Sequence, residues 1–337
     1  MAIRNRFSEL LPEITAWRRD IHENPELLFE THRTSQFVAD RLAEFGCDEI
    51  VTGIRRTGVV ALIKGRSDSK GKVVGLRADM DALPIEEATG LPYASKTPGV
   101  MHACGHDGHT AMLLGAAKYL AETRNFDGTV AVIFQPAEED GGGGLVMVQE
   151  GILDRFDIKE VYALHSGPGD AAGSFYTTPG PIMAAADTFH IHITGVGGHG
   201  AYPYETADPV IAAVGIVSAI QTIVSRNNKA YEDLVVSVTQ IHTGTADNVV
   251  PEKAYINGTV HTLAKSTQTM VQRRLEQIVA GHADAYNVTA VLEYVPGYPA
   301  TINDPDKAAF AASVAREITP LVDDARQYEM GAEDFSY

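Results

Sequence analysis

The sequence predicts an α/β fold: a mostly parallel-sheet domain carrying an inserted ferredoxin-like (βαββαβ) domain. Three observations lead there. At 337 residues the chain suits about two domains. In its first half, short β-branched runs alternate with helical patterns, the order that builds a parallel sheet. Beyond Ala185 the order becomes β-α-β-β-α-β, the split unit of a ferredoxin-like domain.

The elements follow in order. Thr31–Phe45 reads as an amphipathic helix, with Val38, Leu42 and Phe45 on one stripe and Gly46 as its stop. Val59–Ile63, Val73–Leu76, Val130–Phe134 and Val161–Leu164 have strand length and β-branched content. Helical patterns cover Thr110–Glu122 and Gly144–Glu150. From Asp187 onward, Phe189, Ile191 and Ile193 alternate with His190, His192 and Thr194, which is a half-buried strand. Asp208-Pro209 opens a helix to about Arg226, with Asp as N-cap and Pro in the first turn. Strands Leu234–Ile241 and Ala254–Thr262, a helix Thr267–Tyr286 and a strand Val288–Tyr294 complete the unit, and Pro305–Thr319 is helical again. The expected domains are 1–186, 187–295 and a return to the first domain over 296–337.

Composition narrows the function. Hydrophobic residues make up 45% and charged residues 21%, ordinary globular values. Lys and Arg number 27 against 44 Asp and Glu, so the net charge is −17. That balance argues against nucleic acid and anionic membrane surfaces as partners. No uninterrupted apolar run reaches the roughly 18–20 residues of a membrane span. The N-terminus, MAIRNRFSELLPEI, has no signal-peptide pattern. Two cysteines, Cys47 and Cys104, stand in unlike contexts, so a reducing cytoplasm is the expected location.

Chemistry gathers at four predicted strand ends or loop-to-helix junctions, where open α/β sheets bind ligands. MHACGHDGHTAM packs His102, Cys104, His106, Asp107 and His109 into eight residues. Thiolate beside imidazole suits Zn, Co, Ni or Mn-type ions. A lone Cys is more often a buried small hydrophobe, but Cys104 stands beside glycine and His106. His102 and His109 read equally well as packing residues or as supports of a ligand. In VIFQPAEEDGGGG an apolar strand runs into Glu138-Glu139. A metal hydrolase needs one carboxylate on the metal and one free to take a proton, and adjacent glutamates can divide those roles. GLRADMDALP ends a strand with Asp79 and Asp81, one of which could orient a histidine ligand. VYALHSGPG places His165 at a strand end. In the second domain, GVGGHGAYP holds His199 among glycines and TADNVVPE carries Asn248 in a loop.

Taken together, MHACGHDGHTAMLLGAAKYL, RADMDALPIEE, VIFQPAEED and GGHGAYP resemble the dinuclear-metal amidohydrolases of the aminoacylase/carboxypeptidase superfamily. The nearest branch is that of hippurate hydrolase and the indole-3-acetyl-amino-acid hydrolases. The likeness runs from Arg18-Arg19-Asp20-Ile21-His22 to Gly331-Ala332-Glu333-Asp334-Phe335. It implies a catalytic metallohydrolase domain, a lid domain that also forms a homodimer, and two divalent ions (Mn or Zn, with Co or Ni as options). Cys104, His106, Glu139 and His165 match the family's metal ligands. Glu138 matches its general base and Asp81 the acid that orients the site. His199 matches a lid histidine on the substrate carbonyl, and Asn248 a lid residue near the substrate. The implied reaction is hydrolysis of the amide bond of small N-acyl amino acids.

Two departures accompany the likeness. The family pattern continues past GAEDFSY to one more histidine ligand, whereas this sequence ends at Tyr337, which suggests a truncated C-terminus. In GTVHTL, His261 stands where the family usually has Arg, and a neutral imidazole would hold a substrate carboxylate weakly. The alternatives are a metallo-carboxypeptidase or dipeptidase of the same superfamily, or an inactive metal-binding homologue.

Overall fold

In the computed structural model the described residues are 2–325 and 328–337. By internal contacts the chain forms two compact units, one of residues up to Asp170 together with Tyr337 and one of Ala171–Ser336.

The first unit begins with a helix absent from the sequence reading, α1 (Ala2–Glu23), followed by α2 (His32–Phe45). Leu10, Trp17 and Ile21 lie on one stripe of α1 and are buried, the spacing of a core-facing helix. Gly46, at φ +75°, ends α2 as expected of a left-handed C-cap. Then come β1 (Glu49–Ile54), β2 (Gly58–Lys64), β3 (Val73–Asp79), α3 (His106–Thr123), β4 (Thr129–Gln135), α4 (Gly143–Gln149), α5 (Ile152–Arg155) and β5 (Ile158–Ala163). The strands form one sheet in the order β1-β2-β4-β3-β5. β3 is parallel to β4 and β5, while β2 is antiparallel to β4 and β1, so only β2 runs against the other four.

Both faces of this sheet are covered, which is why its strands read as continuous apolar runs rather than alternating ones. Val59, Ala61, Ile63 and Phe134 pack with Trp17, Val38, Leu42 and Leu114 on one side. Val60, Ala131 and Ile133 pack with Met147, Ile152 and Phe156 on the other. Asp79 and Gln135 close two neighbouring parallel strands in register, and His165 follows two residues after β5. Three carboxyl ends of the sheet therefore open on one edge.

The second unit contains β6 (Phe175–Tyr176), β7 (Gly180–Met183), β8 (Ala185–Thr194), β9 (Gly198–His199), α6 (Pro209–Thr222), β10 (Leu234–Thr243), β11 (Val249–Val250), β12 (Lys253–Thr262), α7 (Lys265–Ala285), β13 (Thr289–Val295), β14 (Thr301–Asn303), α8 (Pro305–Ile318) and β15 (Val322–Asp323). Its main sheet has the order β10-β12-β8-β13, antiparallel throughout, with α6 and α7 on one face. This is the βαββαβ arrangement. Asp208 caps α6 by accepting from the Val210 N–H at 2.8 Å.

The stretch Pro209–Asn227, with mean hydropathy 1.6, is long and apolar enough to cross a membrane by length and composition. No uninterrupted run was visible there because Ser218, Gln221 and Thr222 break it. Ala212, Ala213, Ile216, Ile220 and Ile223 along it are fully buried against the sheet, as in the core helix of a compact domain.

Candidate metal centre

α3 starts at His106, four residues before the expected Thr110. Gly105, at φ +101°, sets that start, and a Cβ there would lie 2.6 Å from Ser166 Oγ. The helix therefore carries His106, Asp107 and His109 in its first turn, all buried. His106 Nδ1 lies 2.8 Å from the Asp81 backbone carbonyl, which can only accept, so Nδ1 carries the proton and donates. Nε2 is left facing the centre. His165 Nδ1 makes the same kind of bond to the Ser166 carbonyl at 2.8 Å, and its Nε2 lies 3.3 Å from Cys104 Sγ.

The Glu138-Glu139 turn is built by close backbone packing. Ala137 takes φ +57°, Gly143 N–H donates to the Ala137 carbonyl at 2.9 Å, and a Cβ at Gly143 would collide with the Pro136 carbonyl. Asp81, buried at 1% exposure, accepts from Glu138 N–H at 2.9 Å on one carboxylate oxygen and from Glu139 N–H at 3.1 Å on the other. Its carboxylate thus holds the turn, while its backbone carbonyl holds His106.

These bonds bring ligand atoms of Cys104, His106 and His165 within 4.8 Å of one another, and those of His106, Glu138 and Glu139 within the same span. His106 is common to both sets. Its Nε2 and Glu139 Oε1 are buried and have no hydrogen-bond partner. Two such orphans facing one point are what a cation would satisfy. Sulfur, imidazole nitrogen and carboxylate together suit a borderline divalent ion.

Without one, burial and the neighbouring charges shift how tightly each group binds a proton. Burial pushes the Cys104 thiol up. Burial, followed by the Asp81 charge, raises the Glu139 carboxyl against the pull of His106. Burial disfavours the His106 cation, but the Asp79 charge and the Asp81 carboxylate outweigh it and push the group up to about 12.

The remaining residues singled out in the sequence fall as follows. His102 is buried with both ring nitrogens unpartnered, and burial lowers it to about 4. Asp79 is held by Arg77 and His109 rather than lying in an open turn. In the second unit, exposed His199 sits in β9 opposite Val249, and its Nδ1 accepts from Ala201 N–H at 3.1 Å. The Asn248 carbonyl accepts from Gly200 N–H at 2.7 Å, so the two loops lie side by side. His261 pairs with the Thr259 hydroxyl at 3.0 Å, and its Nδ1 is buried without a partner. The sequence reading missed Arg77, Gln135 and Ser166. The only signal for Arg77 was an arginine inside an apolar strand.

A thiol, two imidazoles and paired carboxylates at the carboxyl ends of a parallel sheet define a metal-dependent hydrolase. The chain belongs to peptidase family M20/M25/M40, whose sequence model matches residues 75–337. Among curated proteins it is 42% identical to a hippurate hydrolase of Campylobacter jejuni over 311 residues, covering 92% of this chain and 80% of that protein. It is 39% identical to thermostable carboxypeptidase 2 of Saccharolobus solfataricus over 339 residues, covering 99% and 84%. Among solved structures, the YXEP protein of Bacillus subtilis, described as a dinuclear metal binding peptidase from the M20 family, matches with TM-score 0.83 and 36% identity. That match covers 98% of this chain and 85% of that one.

Proposed function

We propose that the protein hydrolyses the amide bond of small N-acyl amino acids, releasing a carboxylic acid and an amino acid. One observation carries the proposal: Glu138 is buried directly beside Glu139 at a centre that also holds a thiol and two imidazoles. A site built only to store a cation has no use for that second carboxylate. The hippurate hydrolase relative supports the substrate class.

In this reading Cys104, His106, Glu139 and His165 would hold two divalent ions, Mn or Zn. Bound there, such ions supply Lewis acidity and make water more acidic. Glu138 takes the proton from the attacking water and delivers it to the nitrogen as the C–N bond breaks, while the water oxygen joins the acyl carbon. Asp81 keeps the Glu138-Glu139 backbone in place. His199 and Asn248 contact the substrate, His199 at its carbonyl oxygen. Two copies associate through the second unit, a reading supported by exposed Ile211 and Val214 on α6 and Ile241 on the edge strand β10.

The test is metal content by elemental analysis, with hydrolysis of N-benzoylglycine before and after addition of Mn or Zn. Metal-dependent turnover is expected. Glu138→Gln should keep the metal and lose roughly 10²- to 10⁴-fold in kcat, the usual worth of a general base. Full activity in that variant would sink the assignment of the base. Action on peptides is the second reading, favoured by the carboxypeptidase relative. A dipeptide panel run beside the N-acyl amino acids separates the two.

A further inference from the structure

His109 lies in the first turn of α3 and is 2% exposed. Its ligand atoms fall within 4.8 Å of those of Asp79 and His106, so proximity alone makes it a candidate ligand. Its hydrogen bonds exclude that role. The Ser166 backbone N–H, 2.9 Å from His109 Nε2, can only donate, so Nε2 carries the lone pair. The ring proton is then on Nδ1, 2.6 Å from Asp79 Oδ1, and is donated there. Both nitrogens are committed, and no lone pair remains for a cation. Asp79 is itself fixed: Arg77 Nη1 donates to its other oxygen at 2.6 Å, and Arg77 Nε donates to Gln135 Oε1 at 2.8 Å.

The same bond bears on the preceding residue, His165. Ser166, held at its backbone N–H by His109, presents its carbonyl to His165 Nδ1, which keeps the proton there and leaves His165 Nε2 bare toward Cys104 Sγ. The Ser166 hydroxyl lies 3.2 Å from the Cys104 carbonyl, in the space kept open by the missing Cβ of Gly105. A chain of contacts thus runs from the buried Arg77–Asp79 pair through His109 and Ser166 to two of the proposed ligands.

We propose that His109 is a positioning residue. Through the Ser166 peptide it sets the tautomer and place of His165, and so the affinity for the cation on the Cys104–His165 side, without touching that cation. The consequence for affinity rests on the metal reading above. The consequence for tautomers does not.

The test uses the full chain, metal-free and labelled with 15N-histidine, read by long-range proton–nitrogen correlation. His109→Gln and His165→Gln assign the two signals. Both residues should show the Nδ1–H tautomer, and an Nε2–H form at either would overturn the proposal with no metal present. His109→Asn keeps a donor for Asp79 but loses the acceptor for Ser166 N–H. It should give His165 mixed tautomers and lower the calorimetric affinity for one of two Zn ions by about 10- to 100-fold. His109→Gln offers Oε1 to Ser166 N–H and should stay closer to wild type on both readouts. An unchanged His165 tautomer and unchanged Zn affinity in His109→Asn would overturn the proposal. If the wild type binds neither Zn nor Mn, the metal reading fails, while the metal-free spectra still decide the role of His109.

Discussion

Replacing Asp81 with asparagine separates the carboxylate's work from the work of its backbone. In the native protein the two carboxylate oxygens take the Glu138 and Glu139 N–H groups at 2.9 and 3.1 Å. Asparagine keeps one oxygen and sets an NH₂ against the other N–H, donor facing donor. One buried backbone N–H and one side-chain donor then lack partners, at about 1–3 kcal/mol each, so the native state should lose about 2–6 kcal/mol. The His106 bond goes to the Asp81 backbone carbonyl and survives the substitution. Metal content should therefore hold while the Glu138 carboxylate loses its anchor, and a misplacement of about 1 Å costs on the order of 10²-fold in rate. Urea denaturation measures the first effect, and N-benzoylglycine turnover with elemental analysis the second. Wild-type stability together with wild-type kcat in Asp81→Asn would refute the reasoning.

Other substitutions probe separate parts of the argument. Gly105→Ala meets a left-handed backbone and the Ser166 hydroxyl at 2.6 Å. It should cost about 1–2 kcal/mol for the backbone alone and weaken Zn binding, both measurable on the purified variant. Ile216→Ala empties a fully buried position in the second unit. It should lower stability by about 2–5 kcal/mol in urea and leave the metal content of the folded protein unchanged. His22 is buried and donates to Asp107 at 2.8 Å, and that bond raises its pKa above the ordinary value. A raised histidine stabilises fully below its unfolded pKa of about 6.5 and loses that contribution as pH rises through the folded value. Burial opposes the Asp107 charge, but the His22 bond lowers that carboxyl, whose contribution is lost only in acid. His22→Gln should thus destabilise the metal-free protein more at pH 6 than at pH 10, and an equal loss at both would remove His22 from the ion pair.

The main helices and strands and the reactive side chains are legible in the amino-acid sequence alone. Continuous apolar runs of β-branched residues such as Val130–Phe134 read as strands covered on both faces, and alternation from Phe189 to Ile193 reads as a strand covered on one. The ends of those runs carried Asp79, Glu138-Glu139 and His165, where a covered strand can present polar groups at the edge of the sheet. The short elements α5, β6, β7, β9, β11, β14 and β15 escaped, as did two longer ones. The α1 stripe of Leu10, Trp17 and Ile21 was present but unread, and β1 is interrupted by Gly53 at φ +75°, with Ile54 its one fully buried side chain.

The contacts that bear on the division of labour lie outside any local stretch of sequence. Whether Asp79 or Asp81 orients a histidine, whether His109 is a ligand, and where α3 begins depend on partners that lie far along the chain. Glu138 is 57 residues from Asp81, and Ser166 is 57 from His109. Hydrogen-bond direction at those contacts assigns each proton and each lone pair, and that direction exists only once the strand ends have been brought to one edge of the sheet.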